Sequence, residues 1–270
     1  SHQTRGALAD AGYRVYAIDL LGFGATDKPV LEYKAELWRD ECAAFLREVA
    51  GCGPSKRAVV AGNSIGGYTA LGVGAAHPEL TIVASGRWRD SDSDQKGSPC
   101  HAGRRCDVVD EHFYQTSDQM ALMGGQYDRY NRSLPPVFVG EFAANKPDGA
   151  PTLRAAIAES IFMLGFERNA DVVAASAFAP LLNNVHGTQW PYNLINFNSS
   201  HVFCLPSYYA QLMLSSARGS HSLSTSMRGS DGPWNAAASL TNDGVVLKLA
   251  NYDESPRDVT VKLTQFVIAN

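Results

Sequence analysis

The chain has 270 residues, 45% of them hydrophobic, which is ample apolar material for one large domain or two smaller ones. Its formal net charge of −4 is too mild to mark a binder of nucleic acid or of an acidic membrane surface, and no apolar run reaches the roughly 20 residues that a bilayer span needs. Five cysteines, Cys42, Cys52, Cys100, Cys106 and Cys204, are odd in number and too sparse for a disulfide scaffold.

The opening "SHQTRGALADAGY" is polar and holds no signal-type apolar core, so it assigns no compartment. "YRVYAIDL" (13–20) reads as a strand and "LGFGATDKP" behind it as a loop, by its glycines and proline. In "AELWRDECAAFLREV" the residues Trp38, Cys42, Phe45, Leu46 and Val49 recur at helical spacing and form one apolar face. "RAVVAGNS" is a second short strand, followed by the small-residue helix "IGGYTALGVGAAHP". A β-α-β-α order with nearly continuous apolar strands is the pattern of a parallel sheet covered on both faces.

"TIVAS" (81–85) reads as a strand, and "GRWRDSDSDQKGSPCHAGRR" after it as an insertion or seam, longer than a plain loop in a compact domain. In "PCHAGRRC", across its end, Cys100, His101 and Cys106 lie close enough to suggest zinc. No second pair follows at ligand spacing, so the segment reads as a polar loop with free thiols; neither a metal nor a cofactor is expected.

"CDVVDEHFY" and "PPVFVGEF" are strands that end in polar groups. "TLRAAIAESIFMLGFER" places Leu153, Ala156, Ile157, Ile161 and Leu164 on one helix face with Thr152 as N-cap, and "DVVAASAFAP" is a further strand. "GVVLKLAN", a turn at "YDESPRD" and "VTVKLTQF" read as a terminal antiparallel hairpin. The expected fold class is therefore α/β, parallel β-α units followed by a small antiparallel β-sandwich segment. About six barrel-type or sheet-type strands are too few for a regular eight-stranded barrel, and the terminal strands leave edges prone to self-association.

Two stretches carry chemistry. "GNSIGG" (62–67) fits G-x-S-x-G between a strand and a helix, where the sharp turn exposes the Ser64 hydroxyl and the N–H of Ile65 is an oxyanion donor. Residues 1–80, with "GYRVYAIDLLGFGATDKP" ahead of the elbow, resemble the α/β-hydrolase superfamily, which implies that Ser64 is a nucleophile. The family's upstream oxyanion loop and its downstream acid and histidine have no recognisable counterpart here, and a serine without a base is a poor nucleophile.

The second stretch is Glu141, at the end of an apolar strand with Gly140 clearing space before it. In a (β/α) barrel the catalytic groups project from strand C-termini, and the two strands offer Asp110, Glu111, His112, Tyr114 and Glu141. Carboxylates beside aromatic and imidazole groups suit glycoside hydrolysis. The blocks "VVDEHFY", "YDRYNRSLPPVFVGEFA", "LRAAIAESIFMLGFERNADVV", "FAPLLNNV" and "NSSHVFCLPSYYAQLM" resemble the C-terminal half of the α-L-arabinofuranosidases of glycoside hydrolase family 51, from about residue 107, or from 81, to the end.

That resemblance implies a retaining glycosidase with a (β/α)8 barrel and a β-sandwich, acting on arabinose-containing oligo- or polysaccharides. Glu141 would be its nucleophile, with His112, Tyr114 and Trp190 at the sugar. It implies domains at 1–80 (hydrolase-like), 81–215 (half-barrel) and 216–270 (sandwich strands), and by analogy an extracellular or secretory location. The family's acid/base glutamate lies in a G-N-E motif that this sequence lacks, so impaired catalysis is expected. A serine hydrolase, a non-catalytic carbohydrate-binding remnant and an artefactual gene fusion stay open as alternatives, and the oligomeric state is not legible.

Overall fold

A computed structural model describes residues 8–53, 55, 56, 58–60, 62, 65–77, 83–85, 107–146, 151–188, 190, 192–228 and 232–263. The seam at 86–105, including Cys100 and His101, lies outside them, as do Cys106 and Ser64. The chain divides into two compact units, Ser1–Val83 and Ala84–Asn270.

In the first unit, helix α1 (Ala35–Glu48) starts after the extended Lys34 and buries Cys42 and Ala43. Its Trp38 Nε1 donates to the carbonyl of Leu21 at 2.9 Å and its Glu41 accepts the Leu21 N–H at 3.0 Å, which ties the glycine-rich loop to the helix. Cys42 packs with Val73 of helix α2 (Ile65–Ala76), joined by Leu20, Leu46, Ala58 and Val60. Val49, assigned by its spacing to the apolar face, is exposed because the helix has already ended there.

Residues 13–20 do not form the expected strand. Tyr13, Tyr16 and Ile18 are exposed, and Tyr16 instead meets Phe45 edge-on at 5.3 Å. An apolar run becomes a strand only where a neighbour supplies ladder hydrogen bonds, and the described residues provide none beside it. Of the second expected strand only 58–60 and 62 are described, and these show no strand run. Ala58 and Val60 meet the core cluster while Val59 is 77% exposed, an alternation with one wet face rather than burial on both.

The second unit is built on a four-stranded sheet in the order β1-β2-β3-β4, with β1 Val83–Ser85, β2 Val108–Thr116, β3 Val137–Lys146 and β4 Val173–Phe178. β2 and β3 are parallel, as are β3 and β4. A capping box at Thr116 and Gln119 opens the short helix α3 (Ser117–Ala121), which passes into a 3-10 turn at Leu122–Gly125. Helix α4 (Leu153–Arg168) crosses from β3 to β4 behind its Thr152 cap, whose hydroxyl accepts the Ala155 N–H at 3.1 Å.

Of the helix face expected from spacing, Ala156, Ile161 and Leu164 are buried and Leu153 is exposed in the first turn. Ala155, Ala158, Ser160, Phe162 and Phe166 are buried too, because α4 is covered on more than one side. Phe162 meets Phe113 of β2 at 5.2 Å and Phe142 of β3 at 6.0 Å, and Tyr127, Phe166, Phe178 and Tyr192 extend this aromatic core.

Beyond the sheet lie β5 (Leu182–Asn184), β6 (Ile195–Phe197) and β7 (Val202–Cys204), with β5 and β6 parallel and β6 and β7 antiparallel. Helix α5 (Pro206–Ser216) follows, with proline in its first turn, where no N–H is required. The last sheet has the order β10-β9-β8, from β8 (His221–Leu223), β9 (Trp234–Thr241) and β10 (Gly244–Asn251), all antiparallel. "GVVLKLAN" therefore pairs backwards with "WNAAASLT", and 256–263 form no strand. The correction has a local cause. Thr241-Asn242-Asp243-Gly244 closes a two-residue hairpin loop of favourable composition, whereas "YDESPRD" is longer and carries a proline.

Candidate functional site

Alternation along β2 sets the site. Val109, Phe113 and Gln115 are buried, with Phe113 turned onto α4, so Asp110, His112 and Tyr114 share the opposite face. On β3, Val137 and Val139 are fully buried, and strict alternation would send residue 141 to the same face. It does not go there. Val139 pairs with Glu111, but the next pair is Glu141 with His112, so Gly140 is an extra, bulged residue. The bulge reverses the parity of the strand. Phe142 then returns to the buried side, 1% exposed, and Glu141 stands among Asp110, His112 and Tyr114.

Glycine is needed at the bulge for a specific reason. A Cβ on residue 140 would lie 2.0 Å from Asp110 Oδ1, so the space it clears is the space of that carboxylate. β3 also runs on to Lys146, which puts Glu141 within the strand rather than at its end.

The four side chains form one line of contacts. Asp110 Oδ2 lies 3.0 Å from His112 Nε2, His112 Nδ1 lies 3.4 Å from Glu141 Oε2, and the Tyr114 hydroxyl donates to that same Oε2 at 2.7 Å. Both contacts fall on Oε2. Among the described residues Oε1 has no recorded hydrogen bond, and the Glu141 side chain is 42% exposed. The hydrogen bond to Asp110, with the charges of Asp110 and Glu141, outweighs desolvation and raises the His112 pKa above its ordinary value. Burial, then the bond to Glu141, pushes the Tyr114 phenol well up, so it stays a donor throughout the neutral range. Glu111, on the opposite face of β2, is half-buried and receives the Tyr127 hydroxyl at 2.8 Å.

His112, Tyr114 and Glu141 are thus brought together. Trp190 is 59% exposed on the segment after β5, and its recorded contact is a backbone one, its carbonyl accepting from Asn193 Nδ2. Ser64 lies outside the described residues. Around it, Ile65 opens α2, and a Cβ on Gly62 would lie 2.2 Å from the Gly66 carbonyl carbon, the close backbone approach that an elbow requires. Among the described residues no group of three or more His, Cys, Asp and Glu is arranged to hold a metal ion.

Asp110 had no role in the sequence reading beyond standing at a strand end. The signal was present in "DEHFY", since residues at i, i+2 and i+4 of a strand share one face. Glu159, which the sequence reading did not single out, is buried and accepts from the Ala144 N–H and the Tyr192 hydroxyl, both at 2.9 Å.

Two family models match the chain. The alpha-L-arabinofuranosidase C-terminal domain matches residues 129–270 and the alpha/beta hydrolase family matches residues 5–192, a range that extends well past residue 80. The probable alpha-L-arabinofuranosidase A of Aspergillus flavus is 38% identical over 194 residues, covering 70% of this chain and 29% of that protein. Alpha-L-arabinofuranosidase 1 of Arabidopsis thaliana is 31% identical over 208 residues, covering 75% of this chain and 29% of that protein. The chain spans about 29% of the length of these relatives. An arabinose-bound MgGH51 α-L-arabinofuranosidase superposes with a TM-score of 0.58 at 26% identity, over 70% of this chain and 32% of that one. The GH51 arabinofuranosidase from Xanthomonas axonopodis pv. citri shares the fold, with a TM-score of 0.52 at 14% identity over 83% of this chain and 60% of that one.

Proposed function

The chain belongs to the alpha-L-arabinofuranosidase C-terminal domain family over residues 129–270 and to the alpha/beta hydrolase family over residues 5–192, and from that premise we propose that Glu141 is the nucleophile of a retaining arabinofuranoside hydrolysis. The observation that carries this reading is the asymmetry of its carboxylate. Oε2 is held by Tyr114 and flanked by His112, while Oε1 makes no hydrogen bond among the described residues and the side chain is 42% exposed.

In the first half-reaction Oε1 attacks the anomeric carbon, and the glycosidic C–O bond breaks with its electron pair leaving on the aglycone oxygen. A glycosyl ester of Glu141 forms. In the second, water cleaves that ester and releases arabinose. The Tyr114 hydroxyl keeps Oε2 occupied in both states, which favours a single attacking oxygen. The substrate class is an arabinose-containing oligo- or polysaccharide, and the domain division at 1–80, 81–215 and 216–270 belongs to the same reading. His112 and Tyr114 border the sugar in it, with Trp190 as an outer aromatic contact.

The sequence lacks the G-N-E glutamate that would protonate the leaving oxygen and later activate water. Loss of a general acid/base commonly removes about 10² to 10⁴ in rate. A dinitrophenyl α-L-arabinofuranoside removes the first requirement, because dinitrophenolate leaves without protonation. A burst of dinitrophenolate with slow turnover is expected, with arabinosyl ester on the peptide containing Glu141 and faster turnover on adding azide. Glu141→Gln abolishes the burst. A burst that survives in this variant refutes the assignment.

A second reading has its own support in the Gly62–Gly66 approach and the helix start at Ile65. It makes Ser64 an ester-hydrolase nucleophile with the Ile65 N–H as oxyanion donor. A fluorophosphonate probe that labels Ser64 would establish it, and an unlabelled serine in the folded chain would discard it.

A further inference from the structure

We propose that Asp110 is a positioning residue for the Glu141 chemistry, holding His112 as an imidazolium whose Nδ1 edge faces Glu141 Oε2, and that the Gly140 bulge exists to seat its carboxylate. The proposal deepens the assignment of Glu141 as nucleophile and rests on it for its functional meaning.

A carboxylate can only accept, so the contact of 3.0 Å with Asp110 Oδ2 requires the proton of that ring nitrogen to sit on His112 Nε2. The other nitrogen, Nδ1, faces Glu141 Oε2 at 3.4 Å, again an acceptor and one already engaged by Tyr114. A bare Nδ1 lone pair would oppose a carboxylate there. A second proton on Nδ1 turns that repulsion into attraction and leaves a cation between two anions.

The ring is oriented by Asp110, because the bond to Oδ2 fixes which edge of the imidazole turns toward Glu141. The consequence for the nucleophile is geometric. With the Tyr114 hydroxyl and the His112 ring both on Oε2, that oxygen is fixed and Oε1 is left for attack.

Two further observations make Asp110 a built feature rather than a chance neighbour. Its Oδ1 is buried and has no hydrogen-bond partner among the described residues, an expensive placement unless Oδ2 is needed where it is. Its seat also requires the absence of a side chain at residue 140, 2.0 Å away, the same residue whose extra backbone unit turns Glu141 onto this face. One glycine therefore serves both carboxylates. The charged and titratable groups facing His112 among the described residues are Asp110 and Tyr114 on its own strand and Glu141 on β3.

The test is a ¹⁵N-histidine NMR titration of the full chain, with His112 assigned by its loss in His112→Gln. In the unsubstituted protein both ring nitrogens should report as protonated at neutral pH. Asp110→Asn keeps the shape and removes the charge, so the imidazolium is lost at lower pH. Asp110→Ala also removes the acceptor, so the neutral ring becomes a mixture of tautomers. Gly140→Ala displaces the Asp110 carboxylate and should give the Asp110→Ala spectrum; if that variant does not fold, Asp110→Asn alone decides.

In the dinitrophenyl arabinofuranoside assay, Asp110→Asn should slow the burst about 10- to 100-fold near neutrality and move its basic limb to lower pH. Unchanged His112 protonation in Asp110→Asn overturns the proposal whatever the kinetics show. A burst unaffected by Glu141→Gln, with the NMR result as expected, overturns the nucleophile assignment and leaves the Asp110–His112 pairing standing. Those two failures are separate.

Discussion

Glu159 shows how burial rewrites the chemistry of one residue. Its carboxyl is 1% exposed on α4, and desolvation pushes its pKa up to about 7 against bonds from its neighbours that pull the other way. Its Oε1 takes both the Ala144 N–H and the Tyr192 hydroxyl, while Oε2 has no partner by geometry. The folded chain thus keeps a proton that the unfolded chain releases near 4.5. On this group's account stability falls as pH rises through that window and levels off above the folded value. Glu159→Gln carries no charge, so it should gain on the parent chain between about pH 5 and about pH 8, read from urea melts at both. A constant difference would show that Glu159 is ionised in the fold. Among the site residues, Glu141, His112 and Tyr114 were named from the family resemblance, and their meeting, like the contact of Asp110 with His112, depended on the pairing of β2 with β3.

At the scale of elements, one side chain joins three of them. Asn235 of β9 is buried and its Nδ2 donates to the Gly124 carbonyl at 3.1 Å and to the Ile161 carbonyl at 2.8 Å, while its Oδ1 accepts from Arg168. The terminal sheet, the 3-10 turn after α3 and helix α4 are therefore fixed together by polar contacts inside the core. Asn235→Ala removes buried hydrogen bonds, and because the Gly124 carbonyl keeps Arg168 and Arg168 keeps Asp128 and the Ala236 carbonyl, it should cost about 2 kcal/mol, measured by denaturant unfolding. A loss below about 1 kcal/mol would mean that water replaces the amide. Sequence periodicity found α4, its Thr152 cap, β2 and β3, because those depend on local spacing. It misplaced the terminal hairpin, since alternation marks a strand but does not name its partner. It could not show the Gly140 bulge either, because the bulge is a relation between β3 and β2 rather than a property of "FVGEF".

At the scale of the whole molecule, the two units rest on cores of very different extent. In the described part of the first, Cys42 and Val73 are the buried centre of the apolar cluster, whereas the second has the aromatic core around Phe142, Phe162, Phe166 and Tyr192. Burial also raises the Cys42 pKa to about 11, so the native thiol is doubly protected from alkylation. Rapid labelling of Cys42 should appear at lower urea than loss of the near-ultraviolet dichroism of the aromatic core. Coincident transitions would show the units to unfold as one. In the second unit, β4 exposes its four central residues, Ala174 to Ala177, at the margin of the four-stranded sheet. The sequence by itself determined the α/β class, the family relationships and the residue types available for chemistry, because these follow from composition, local period and ordered motifs. Only the tertiary structure decided which face Glu141 occupies and which neighbours it meets, because a single unpaired glycine between two hydrogen-bonded strands reverses the side-chain parity.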